Sequence, residues 1–267
     1  MLACGAYAVL SVLLVVVWAT ILDAFAPGCM GAKDAYALYA ITQIMKYIPF
    51  NVVHVVGRHV VLRRCGVSYL ALVSTVFGEA AILVCGACLT ILAFEADLLA
   101  AAYGRYVRPE KFAIVAAVGL PLCLGAALIC LHGAGIRRLI STGIHRRLVP
   151  RLMVALAAAA VFFASTGLLI STVCRLLLAD PAGFSTAAVA ATLAGAWAVG
   201  FIIPGASAGI GVREAAVILL LSPAVGAGNA AAIATIYRIV TAGGDALLAG
   251  FGELVRRFAA GPAYEGR

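Results

Sequence analysis

Residues 46–58 read KYIPFNVVHVVGR and residues 204–214 read PGASAGIGVRE, and each stretch interrupts an apolar segment with proline, glycine and ionisable side chains. Pro49 is followed nine residues later by Arg58, and Pro204 nine residues later by Arg213, with Gly57 and Gly211 close before the two arginines. Proline removes a backbone donor and glycine weakens a helix interior, so neither stretch is suited to an unbroken helix. In lipid, irregular backbone is tolerated only where it is buried in protein or lines a cavity. Matching breaks in two halves of a chain mark an internal repeat, with a site where the half-helices meet near mid-membrane. The spacing therefore predicts two re-entrant or broken helices, at 46–58 and 204–214, related as an inverted repeat.

The surrounding sequence suits lipid as its solvent. Hydrophobic residues make up 65% of the chain and charged residues 11%, with a mean hydropathy of +1.12. Soluble domains run nearer half apolar and a quarter charged. With roughly 30 to 35 residues per span and loop, the 267 residues accommodate about six to eight crossings in one integral membrane domain over 1–267. Apolar runs predict spans at 4–26, 68–94, 112–132, 152–178, 185–203 and 227–254, whereas 36–61 is interrupted and 215–222 is too short to cross. The first run lacks a basic leader and is read as a retained span rather than a signal peptide. Cys85, Cys88, Cys123, Cys130 and Cys174 lie within apolar runs and read as small unpaired hydrophobes. The Cys85-x-x-Cys88 pair has no second pair or nearby histidine to complete a zinc site. No metal or cofactor is expected.

A formal charge of +8 raises nucleic acid as a partner, but the arginines cluster in short loops between apolar runs. That placement suits anionic headgroups and control of topology, so membrane lipids are the expected partners and nucleic acid is not. The loop 133–151 carries Arg137, Arg138, Arg146, Arg147 and Arg151, whereas the connection around Asp180 carries neither lysine nor arginine. The positive-inside rule makes that loop and the C-terminus, after Arg256 and Arg257, cytoplasmic. The orientation of the N-terminus stays open.

Eight ionisable residues fall within apolar segments: Lys46, Arg58, Glu79, Arg175, Arg213, Glu214, Arg238 and Asp245. Facing lipid, the set would oppose insertion by on the order of 20 kcal/mol, so most must face one another or a wet cavity. Lys46, Arg58, Arg213, Glu214 and Arg238 are the candidate binding residues, their excess of positive charge suiting a lipid phosphate. Glu79 and Asp245 are expected to pair with arginines, with Arg58, Arg213 and Arg238 within the same set. Pro49, Pro204, Gly205, Gly209 and Gly211 shape the breaks, and the half-helix N-termini at Pro49 and Gly209 to Gly211 would aim backbone amides at an anion. Simpler roles stand beside these: Arg175 snorkels from a span end, Tyr237 anchors at an interface, and His54 packs or lines a cavity without binding metal.

At these residues the sequence resembles the transmembrane domain of the lysylphosphatidylglycerol synthase/flippase family. KYIPFNVVHVVGRHVVLRRCGVS (46–68) is similar to the family's K-Y-[IL]-P-G-x-V-W-x-x-x-G-R and the basic turn after it. PGASAGIGVREAAVILLL (204–221) resembles P-G-G-x-G-x-R-E, and Tyr237, Arg238 and Asp245 fit its downstream Y-R and Gly-Asp pattern. The likeness covers about residues 36–255. Phe50 stands where the family has glycine, and the Gly/Ala/Ser spacer of the second motif is longer. No stretch resembles the family's soluble aminoacyl-transferase domain. The resemblance thus implies a transmembrane module that moves aminoacylated phospholipids or accompanies lipid-linked glycan assembly in the bacterial inner membrane.

The leading expectation is a flippase-like translocase, not an enzyme, for a phospholipid or lipid-linked glycan headgroup. In it, Arg58 and Arg213 contact phosphate while Glu214 pairs with an arginine or a cationic headgroup. An alternative is a non-catalytic accessory subunit of a separately encoded glycosyltransferase or aminoacyl-lipid synthase. A membrane-embedded enzyme on polyprenyl phosphate is a third reading. The chain contains no D-D-x-x-D-type cluster and no H-E-x-x-H to support it.

Overall fold

Two long apolar stretches near the termini, packed against each other, frame the molecule. The computed structural model describes residues 1–48, 53–106, 144–178, 185–202 and 207–259. The expected span at 112–132, Pro49, Pro204, Gly205, Arg137 and Arg138 lie outside the described residues. Helices α1 (Leu2–Leu10) and α2 (Val12–Phe25) form one apolar rod interrupted at Ser11. There the Ser11 hydroxyl donates back to the Tyr7 carbonyl at 2.9 Å, a bond that competes with the regular helix ladder. Helix α3 (Ala32–Gln43) runs into a 3-10 turn at Ile44–Tyr47, and α4 (Val53–Arg64) follows. Next come α5 (Tyr69–Tyr106), α6 (Ile144–Leu177) and α7 (Thr186–Ile202). A second 3-10 turn, Ser207–Gly209, precedes α8 (Val212–Val225) and α9 (Ala227–Ala259).

There is no strand among the described residues. Among the described residues, four stretches are long and apolar enough to cross a bilayer: Leu2–Phe25, Tyr69–Phe94, Leu148–Leu177 and Ala227–Phe258. The architecture is consistent with an all-α membrane protein. At 1.5 Å per residue, α4 is about 18 Å long and α8 about 21 Å, both short of a hydrocarbon core of about 30 Å.

Several boundaries differ from the sequence reading. Helix α5 continues past Phe94 to Tyr106, because Leu98 to Ala102 are strong helix formers and no proline or glycine intervenes before Gly104. Helix α6 begins at Ile144 and takes in Pro150, which shortens the predicted loop 133–151. Helix α9 runs through Arg256 and Arg257, which share Glu253 one turn back. The free, buried thiol at Cys174 agrees with the unpaired reading there, and Cys4, Cys29 and Cys65 are free thiols as well.

Two polar contacts tie helix ends together, and a third pair of ends lies near one another. Asp23, near the end of α2, pairs with Arg151, near the start of α6, at 2.5 Å. Arg175 in the last turn of α6 donates to the Thr186 hydroxyl that opens α7, at 2.9 Å. Cys29, before α3, and Cys65, after α4, are close enough to interact; burial, reinforced by the Cys65 thiol, pushes the Cys29 thiol up from its usual range. Both ends of the α3–α4 unit therefore lie together. Helices α1 and α3 pack along α9, α7 packs on α8, and the two 3-10 turns touch each other.

Candidate functional site

The breaks meet around a cavity of about 310 Å³. Lys46 and Tyr47 reach it from the first turn, His54 and Arg58 from α4, Glu79 from α5 and Arg213 from α8. Aromatic walls from Tyr7, Tyr39, Phe162, Trp197 and Phe201 complete it. Lys46, Arg58 and Arg213, three of the candidate binding residues, thus line one space. Glu214, Arg238 and Asp245 do not line it and sit behind its polar residues.

Each charge has a distinct setting. Arg58, 4% exposed, is fully engaged: its Nε donates to Thr42 Oγ1 at 3.0 Å, one amino group to Gln43 Oε1 at 2.9 Å, and the other to both Glu79 oxygens at 3.3 Å. The guanidinium also stacks 3.8 Å from the Tyr39 ring centre. Glu79 accepts a further bond from the Tyr39 hydroxyl at 3.4 Å. Arg58 thus forms the expected ion pair with Glu79, and its donors are taken by protein groups. The cause is that α3 and α5 bring Thr42, Gln43 and Glu79 to it from three sides.

Asp245 is fully buried on α9. Its Oδ2 accepts from Lys46 Nζ at 2.8 Å and from the Tyr47 hydroxyl at 2.7 Å. The partner is thus a lysine and not one of the expected arginines, because α3 lies along α9 and delivers the first 3-10 turn to Asp245. Glu214 pairs with Arg238 at 3.2 Å and also accepts the Gly211 amide at 2.7 Å. The amide expected to face an anion at the start of α8 is consequently occupied by that helix's own first-turn carboxylate. Arg238 donates to the Ala208 carbonyl at 3.3 Å and lies 5.6 Å from the Tyr47 ring centre.

Arg213 differs from the other three cations. It has no carboxylate within ion-pair distance among the described residues, and its buried Nε has no acceptor there. Its guanidinium lies 5.7 Å from the Trp197 ring centre. The side chain reaches the cavity through a sleeve of two glycines: a Cβ at Gly200 would stand 2.5 Å from Arg213 Cγ, and one at Gly209 would stand 2.6 Å from its Nε. Gly209 and Gly211 also hold φ of +70° and +82°, which side chains resist, and Ala208 between the turn residues sits at +49°. These values explain why the second break is glycine-rich.

Lys46, Arg58 and Arg238 are each matched by a carboxylate, so with Arg213 the cluster carries one uncompensated positive charge among the described residues. Tyr237, read as an interfacial anchor, is instead 8% exposed and packs in the core, since α9 presents that face to its neighbours. Arg175 lies at the end of α6, away from the cavity. The sequence reading missed Tyr39, Thr42, Gln43, Tyr47, Trp197 and Gly200. Only Tyr47, beside Lys46, carried a local signal; the others come from segments whose apolar composition gave no hint of a polar neighbour. Comparison with protein-family models, with curated proteins and with solved structures finds no match to this chain.

Proposed function

We propose that the chain is a flippase-like lipid translocase whose cavity receives the phosphate of a phospholipid or lipid-linked glycan headgroup. The observation that carries this reading is Arg213, a half-buried side chain with no carboxylate in ion-pair distance among the described residues, in a cavity where Lys46 and Arg58 are neutralised. An unpaired charge at membrane depth is costly, and an entering phosphate monoanion would compensate it. Arginine suits the role through its planar two-point contact with phosphate oxygens. The resemblance of residues 46–68 and 204–221 to the flippase motifs supports the same function.

The topology supports it as well. With the basic start of α6 cytoplasmic, the Asp23–Arg151 pair puts the end of α2 on that side and the N-terminus outside. The α3–α4 unit then enters and leaves from the cytoplasmic face, since Cys29 and Cys65 lie together. Thr186, tied to the far end of α6, starts α7 outside, and α9 returns from outside to a cytoplasmic end. The α7–α8 unit thus dips in from the opposite face. Two units entering from opposite sides and touching at their turns would fit the inverted repeat expected of a translocase.

Two measurements test the proposal. Native mass spectrometry of the purified chain should show a retained anionic lipid that the Arg213→Gln variant loses. In vesicles, the wild-type chain should speed leaflet exchange of a fluorescent phospholipid read with an impermeant quencher. Lipid retention without exchange would transfer the chain to the accessory-subunit reading, and neither retention nor exchange would end the lipid assignment.

A further inference from the structure

A second feature lies outside the cavity. Helices α4 and α5 leave between them an open groove of about 660 Å³. Val56, Val60, Val73 and Phe77 line it, each between 42% and 54% exposed. Arg63, Arg64 and Tyr69 close one end. The Arg63 guanidinium sits 4.0 Å from the Tyr69 ring centre and donates to the Val67 carbonyl at 2.7 Å. Neither Arg63 nor Arg64 has a carboxylate in ion-pair distance among the described residues. At its other end the groove shares Val55 and Val76 with the central cavity. A small cavity of about 10 Å³, lined in part by Arg58, His59 and Glu79, shares Val55 and Val76 with both spaces.

We infer that this groove is the entry site for an anionic phospholipid, with the phosphate held by Arg63 and Arg64 and one acyl chain lying between α4 and α5. The chemistry selects the occupant. Four large apolar side chains exposed at membrane depth suit an acyl chain, whereas two unmatched guanidinium groups where α4 ends and α5 begins suit a phosphate at the interface. Tyr69 at that level is the residue type enriched there. Along α4 the groove carries Arg64, Arg63 and His59 in order inward, and His54 one turn further lines the central cavity. Val55 and Val76 form the threshold. The inference extends the translocase reading by naming its entrance, but its test does not depend on lipid movement.

The test uses the full chain in vesicles containing a photoactivatable phosphatidylglycerol with a diazirine on its acyl chain, followed by peptide mapping. Adducts should concentrate in 53–64 and 69–80. The Arg63→Gln/Arg64→Gln double variant, and Arg64→Gln alone to a lesser degree, should lower their yield on the order of tenfold. The same probe on phosphatidylcholine should be little affected by those substitutions. Val60→Trp, which fills the groove, should remove adducts with both probes. Adducts spread equally over 148–177, or insensitivity to the double variant, would overturn the inference. So would spontaneous disulfide-linked dimers of a Val60→Cys variant, because the groove would then be covered by a second copy. Groove adducts without leaflet exchange would sink the translocase reading alone; exchange without groove adducts would sink the entrance alone.

Discussion

Arg58 and Arg213 stand at the same distance from a proline, yet their surroundings divide their work. Arg58 is saturated by Thr42, Gln43 and Glu79, so Arg58→Gln should strand the Glu79 carboxylate and destabilise the fold by about 3 to 5 kcal/mol. Thermal unfolding in detergent checks this, and the Arg58→Gln/Glu79→Gln pair should recover much of the loss. Arg213 has no such partner, so Arg213→Gln should leave the melting temperature unchanged or raised while slowing leaflet exchange about 10- to 100-fold. Arg213→Lys should rescue only partly, since the charge survives and the planar contact does not. Arg257→Gln, at an exposed position sharing Glu253, is the control that should change neither quantity. Gly209→Ala gives an independent check. A methyl group there opposes a φ of +70° and collides with Arg213 Nε, so lipid retention should fall although Arg213 is still present.

Among the elements, α9 organises the site, because α1 and α3 both pack along it and Asp245 projects from it toward the first turn. Close approach is made possible by Gly244, where a Cβ would collide with the Tyr7 ring and stand 2.9 Å from the Cys4 carbonyl. Membrane helices associate through such small-residue contacts, since lipid offers no hydrophobic drive for them to pack. Gly244→Ala should therefore destabilise by about 1 to 3 kcal/mol. Gly250→Ala, on the same helix with open space around it, should be neutral or stabilise by up to about 1 kcal/mol. Differential scanning fluorimetry on both variants distinguishes the outcomes; equal effects would mean that α1 does not rest on α9 at this point.

At the scale of the whole molecule, the proposed topology has the α3–α4 and α7–α8 units enter from opposite faces and meet at a common depth. A single-cysteine series tests that arrangement. Cys65, exposed after α4, should react with an impermeant maleimide only in inside-out vesicles. A cysteine at Gly228, where an added side chain meets open space, should react only in intact cells or right-side-out vesicles. Labelling of both from one face would rule out the inverted arrangement.

Composition and apolar runs by themselves pointed to a helical chain suited to lipid, because 65% hydrophobic residues and apolar runs beyond about 20 residues leave few other ways to satisfy the backbone. The 3-10 turns at Ile44–Tyr47 and Ser207–Gly209 lie at the two stretches that proline, clustered glycine and charge mark in the sequence. Which charges neutralise one another was not legible. Asp245 meets Lys46 across 199 residues, and Arg58 meets Glu79 only because α5 returns beside α4. Ion pairing depends on distances of a few ångströms between segments far apart in the chain, and those distances exist only once the helices have packed. Tertiary structure alone therefore singled out Arg213 as the cavity-lining cation without a carboxylate in ion-pair distance among the described residues, and placed the glycine sleeve of Gly200 and Gly209 around it.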